Sequence, residues 1–149
     1  VIDQTLQKAG KEFRAEIIGT NFTPTRDEYT LDLTKAYDCP NLKSYTRKFV
    51  YDRNGKGSLL VEDYFELNKA GSFESAVITL ADWQEIGNNK IKLSGKQHTA
   101  HIKIEVSSPK GYTIIPEKIQ ENGPEFSRIG IRLNEKSKEG YIRTFFEAE

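Results

Sequence analysis

Between Ser44 and Leu67 the chain reads as two strands folded back on Asn54-Gly55-Lys56-Gly57. On the first arm Tyr45, Phe49 and Tyr51 fall on one face; on the second, Leu59, Val61, Phe65 and Leu67 do the same. Alternation of period two marks half-buried antiparallel strands. The two apolar faces must lie on the same side of the sheet, and a slip of one residue would turn either face outward. With Asp52 and Ser58 flanking the turn, Arg47 falls opposite Asp63 on the apolar face and Lys48 opposite Glu62 on the polar face. One register satisfies both faces and both charge pairs.

The rest of the chain continues this pattern. Strands are expected over Phe13–Ile18, from Tyr29 towards Tyr37, over Phe73–Leu80, Lys90–Leu93, His98–Ser107, Tyr112–Ile115, Arg128–Leu133 and Tyr141–Phe146. Turn chemistry separates them at Asp38-Cys39-Pro40-Asn41 and Ile86-Gly87-Asn88-Asn89. Residues 1–12 read as a polar lead-in, Asn68–Ser72 as a break, and Pro116–Pro124 as a short helical turn. The reading is all-β: an antiparallel β-sandwich of about ten short strands in a single domain, residues 1–149. The chain starts at Val1 and contains no Met. It is therefore expected to be a mature product or, more often for such a start, an excised piece of a larger protein whose missing chemistry lies upstream; the family likeness given below implies that the piece is C-terminal.

The 22 basic and 22 acidic residues cancel, which argues against a nucleic-acid binder. No stretch is long and apolar enough to be read as a membrane-spanning helix. A lone cysteine, Cys39, forms no internal disulfide, and it has no neighbouring histidine or family signature that would mark a nucleophile. His98 and His101 are three apart on a segment that alternates as a strand, so their side chains point to opposite faces and share no metal. Neither a metal site nor a cofactor is expected, and Gly55-Lys56-Gly57 is hairpin punctuation rather than a phosphate loop.

Two polar or aromatic groupings remain. Arg47 and Asp63 are read as a buried ion pair that holds the register, with a ligand-facing couple as the functional alternative. Trp83, beside Asp82 and Gln84 at a strand end, could stack on a sugar ring or plug the open end of the sandwich. Tyr37, before a turn, has the same two readings. Lys90, Lys92 and Lys103 fall on solvent faces and are read chiefly as solvated, with acidic residues interspersed.

The series Asp32-Leu33-Thr34-Lys35-Ala36-Tyr37, then Arg47-Lys48-Phe49, then Leu60-Val61-Glu62-Asp63-Tyr64-Phe65 resembles the C-terminal β-sheet region of heparinase II/III-like polysaccharide lyases. Asp82-Trp83 and Arg128-Ile129-Gly130-Ile131-Arg132-Leu133 are compatible with it. The resemblance implies a parent with an N-terminal α/α-toroid followed by β-sheet domains. Such a parent would cleave uronic-acid polysaccharides by β-elimination with a Tyr and a His as base and acid. No position here matches those residues, so no catalytic residue is carried over. The resemblance thus implies a non-catalytic domain that packs on an upstream catalytic region and lies beside an acidic polysaccharide, in a periplasmic or secreted protein. An independent carbohydrate-binding module is the alternative.

Overall fold

The computed structural model describes residues 1–120 and 122–149. They form eleven strands: β1 (Glu16–Phe22), β2 (Arg26–Asp32), β3 (Leu42–Asp52), β4 (Ser58–Gly71), β5 (Glu74–Thr79), β6 (Asp82–Gly87), β7 (Lys90–Ser94), β8 (Thr99–Val106), β9 (Tyr112–Ile119), β10 (Phe126–Leu133) and β11 (Ser137–Ala148). Among the described residues a single 3-10 turn, Thr34–Ala36, links β2 to β3. An eight-stranded sheet has the order β1-β2-β3-β4-β11-β8-β7-β6, and a three-stranded sheet the order β5-β10-β9. Every pairing is antiparallel. The fold is the expected all-β sandwich.

The β3–β4 hairpin has the expected register, with Arg47 opposite Asp63, Lys48 opposite Glu62 and Asp52 opposite Ser58. Its outer-face charges pair differently. Lys48 reaches Glu28 on β2 at 2.8 Å, while Glu62 binds Arg143 on β11. Both hairpin strands lie inside the sheet, so each long side chain has a second neighbour to choose.

Five boundaries differ from expectation: β1 spans Glu16–Phe22 rather than Phe13–Ile18, β2 ends at Asp32 and gives way to the 3-10 turn before Tyr37, and three others follow. β4 runs on from Asn68 as far as Gly71 where a break over Asn68–Ser72 is expected, because its far end pairs with Ser137 of β11. Pro116 sits within β9 rather than in a helical turn. β9 is an edge strand, and the edge is where a residue without an N–H is tolerated in a sheet. Of that stretch, Glu121 lies outside the described residues. Asp82 and Trp83 open β6 instead of lying in a loop.

The core lies where the small sheet covers the large one. Phe65 and Phe73 stack with ring centroids 4.1 Å apart, and Tyr45 meets Phe73 edge-on at 5.3 Å. Ile102, Ile104 and Ile142 from the large sheet face Ile129 and Ile131 from the small one, all essentially inaccessible. Burying one such side chain contributes about 1.5–3 kcal/mol. The lead-in is anchored as well: Ile2 is fully buried and bridges Phe73.

Three strands cannot cover eight. The register carries the inner face of the large sheet past the core, in one row Phe146, Leu59, Tyr51, Asp27, Phe22 and in the next Thr144, Val61, Phe49, Tyr29, Thr20. Tyr29, Phe49, Tyr51 and Phe22 lie outside the core cluster. Phe22 is 64% exposed and Tyr51 45%.

Candidate functional site

The β3–β4 register delivers Arg47 and Asp63 side by side, and β5 closes over them from the other sheet. Asp63, 1% exposed, accepts four hydrogen bonds. Arg47 donates from Nε at 2.6 Å and from Nη2 at 2.8 Å, and the Tyr45 hydroxyl donates at 2.9 Å. Ser75 of β5 donates its hydroxyl to the other carboxylate oxygen. Arg47 Nη2 also reaches the Tyr45 oxygen at 3.1 Å. Burial alone would lower the Arg47 pKa, but the hydrogen bond and charge of Asp63 outweigh it and hold the guanidinium protonated.

A second ion cluster adjoins the first. The Arg128-x-Gly130-x-Arg132 run on β10 places both arginines on one face of the strand. Glu74, across the β5–β10 pair, lies between them, with Oε1 2.6 Å from Arg128 Nη2 and Oε2 2.8 Å from Arg132 Nη2. Burial pushes the Glu74 pKa up, but the hydrogen bonds from Arg128 and Arg132 prevail and the net shift is downward.

Both clusters line a cavity of about 240 Å³ at the β5 edge, together with Tyr37 and Leu6. Its charges are largely compensated within its own walls. Burial raises the pKa of Tyr45 well above the usual phenol value and raises that of Tyr37 too. A phenol acting as a general base needs the opposite shift, so the chemistry here favours holding the two sheets together over proton abstraction.

Trp83 and Tyr37 do not meet. Tyr37 follows the 3-10 turn and packs its ring 5.7 Å from that of Tyr45. Trp83, on edge strand β6 opposite Leu93, is half-buried against the core. Tyr37 packs beside Tyr45 of β3, and β6 lies five strand steps from β3 in the large sheet. No single sugar-stacking platform contains both. His98 lies outside the strand, exposed in the turn before β8, whereas His101 is half-buried within β8. Cys39 is half-buried and free. Among the described residues no group of three His, Cys, Asp or Glu side chains is placed to hold a metal ion.

Ser75 and Glu74 have no marker in the sequence, Tyr45 reads only as part of an apolar strand face, and Arg128 only as part of the family-like run. The one local signal was the spacing Arg-x-Gly-x-Arg, which puts two cations on one strand face with a gap between them.

No family model matches the chain, and no curated protein matches it in sequence. Its fold is nonetheless shared with β-sheet domains of much longer solved chains. It is similar to heparan sulfate lyase HepC from Pedobacter heparinus at 13% identity and TM-score 0.65, over 91% of this chain and 22% of that one. A structure of heparinase III matches at 12% identity and TM-score 0.62, over 88% of this chain and 21% of that one. Another heparinase III, with methylated lysines, matches at 6% identity and TM-score 0.68, over 99% and 23%. The chain thus spans between a fifth and a quarter of each, and at these identities the likeness is one of fold.

Proposed function

We propose that this chain is a non-catalytic, C-terminal β-sandwich domain of a heparinase II/III-like polysaccharide lyase, forming a single unit over residues 1–149. Its parent would act on uronic-acid polysaccharides by β-elimination, in the periplasm or outside the cell. The domain would pack on the upstream catalytic region and line part of the glycan cleft. The observation that carries this reading is the half-covered large sheet. In a two-layer sandwich an apolar sheet face is covered by a second layer. Here the face bearing Phe22, Tyr29, Phe49 and Tyr51 lacks one, and exposed apolar patches of this kind mark interaction surfaces. The shared fold with heparinase III supports the choice of partner. The internally neutralised Arg47–Asp63 and Glu74–Arg128 clusters, with raised tyrosine pKa values, fit a structural role.

The test compares the parent protein with the 149-residue chain by hydrogen exchange and lyase assay. The reading expects β1–β3 to be protected in the parent and Phe22→Asp to weaken docking. It also expects release of unsaturated uronate by the parent and not by this chain. Turnover by this chain alone, or equal exchange of β1–β3 in both proteins, would overturn it. The alternative, an independent carbohydrate-binding module using Trp83 or Tyr37, has weaker support because both rings are half-buried and far apart.

A further inference from the structure

We propose that the small sheet takes a fourth strand, seated in the slot between β5 and Leu6–Gln7 and supplied by the polypeptide segment that precedes Val1 in the parent protein. The inference rests on the reading of this chain as part of a longer parent.

The first residues already lie in the line of that strand. Val1 and Glu74 exchange both backbone hydrogen bonds: the Val1 nitrogen donates to the Glu74 carbonyl at 2.7 Å, and the Glu74 N–H to the Val1 carbonyl at 2.9 Å. The Asp3 N–H donates to the Ser72 carbonyl at 3.0 Å, so the segment runs antiparallel to the entry of β5. On its other side, Ile2 exchanges backbone bonds with Thr5 at 3.0 and 2.7 Å. Asp3 and Gln4, with φ of 45° and 66°, form the two-residue turn of strand-compatible hand that this pairing requires. Val1 and Ile2 are thus the middle of three extended runs.

The slot continues beyond Val1. Along an antiparallel strand the backbone groups of successive residues point to opposite edges. The Phe73 carbonyl accepts from the Leu133 N–H at 3.1 Å, on the β10 side, whereas Glu74 turns to Val1. Ala76 and Ile78 therefore turn as Glu74 does, to the open edge of β5. Across the slot the Lys8 N–H points away, to the Ala36 carbonyl at 3.3 Å, so the backbone groups of Gln7 point inward. Among the described residues no backbone hydrogen bond is made by Gln7, nor by Ala76 and Ile78 at this edge. All three line the cavity of about 240 Å³ that Val1 also borders. Open strand edges of this kind are templates for a further strand.

The existing pairs set the register. With Val1 opposite Glu74, the residues before it fall in turn opposite Ser75, Ala76, Val77 and Ile78. The first would exchange bonds with Gln7, and the second and fourth with Ala76 and Ile78. Directly opposed side chains share a face, so the second and fourth lie on the outer face of the small sheet. Leu6 and Ile78 border that strip, 65% and 56% exposed, and apolar side chains at those two positions would cover them. Burial at the Val1 nitrogen pushes its amine pKa down to about 6, an environment that suits a peptide N–H, which donates the same bond without a charge. A strand continuing from Val1 also avoids the entropy of association that a second copy would lose.

The test is single-residue amide hydrogen exchange in three proteins: the parent, the 149-residue chain, and that chain preceded by Val-Thr-Val-Thr. Gln7, Ala76 and Ile78 should exchange about ten-fold or more slowly in the parent and in the extended chain than in the 149-residue chain. The extension Val-Thr-Pro-Thr removes the N–H that bonds the Ala76 carbonyl. It should return Ile78 to its unextended rate while the β10 amides stay protected. Equal exchange of Ala76 and Ile78 in the parent and the 149-residue chain would overturn the proposal. Protection in the parent but not in the extended chain would also overturn it, because another part of the parent would then cover the edge. Protection of the 149-residue chain that grows with its concentration would assign the slot to a second copy instead. A parent without lyase activity but with this edge protected would refute the family reading alone, and an active lyase with the edge unprotected would refute the strand alone.

Discussion

Gly130 leaves the space that the Glu74 carboxylate fills: a β-carbon on residue 130 would stand 2.6 Å from Glu74 Oε1. The glycine is needed for close approach, because it lets one buried carboxylate lie across β10 between Arg128 and Arg132. Gly130→Ala should destabilise the chain by about 1–3 kcal/mol, the usual cost of overpacking. In a Glu74→Ala background the same substitution should cost much less. Urea unfolding of the four proteins in this cycle measures the coupling.

Asp63→Ala should cost about 3–5 kcal/mol, since it strips Arg47, Tyr45 and Ser75 of their shared acceptor. Glu62→Ala, on the solvent face, should cost under about 1 kcal/mol. Thermal or urea denaturation separates the two, and similar curves would refute the different roles that the register assigns to these neighbours.

Stability should fall on acidification through Glu74. Despite burial, the hydrogen bonds from Arg128 and Arg132 hold its folded pKa below the ordinary carboxylate value of 4.5, so its stabilisation is fully present above that value and is lost as pH falls through the folded pKa. Chemical denaturation between pH 7 and pH 3 should show this acid limb, flattened in Glu74→Gln. At the alkaline end the sign reverses for Tyr45. Its raised folded pKa means stability is retained below the ordinary phenol value of 10.0 and lost as pH rises above it, a loss that Tyr45→Phe should reduce.

Trp83 is the sole tryptophan, and its emission reports one site. Half-buried against the core, it should be partly shielded from acrylamide, and Trp83→Ala should destabilise the chain by about 2–4 kcal/mol through lost packing. A fully quenchable Trp83 whose emission shifts with neutral oligosaccharide would instead favour the carbohydrate-binding-module reading.

Alternation along Tyr45–Tyr51 and Leu59–Leu67, with the turn between them, was enough to determine the hairpin, its register and the all-β class, because the period of a strand is a local property. Arg47 and Asp63 could be paired for the same reason. What lies over that pair was not legible. Ser75 and Glu74 come from another sheet, and no periodicity records which sheet will cover which. The outer-face partners of Lys48 and Glu62 were likewise decided by the flanking strands β2 and β11. Ile2 looked like part of a polar lead-in, yet it is fully buried beside Phe73. The sequence by itself determined the strands and their nearest pairings, which depend on side-chain alternation and turn chemistry. Only the tertiary structure decided that three strands cover eight, leaving Phe22 and Tyr51 bare, and that Gln7 and Ala76 line one cavity. Those juxtapositions depend on long-range sheet packing, to which local spacing is blind.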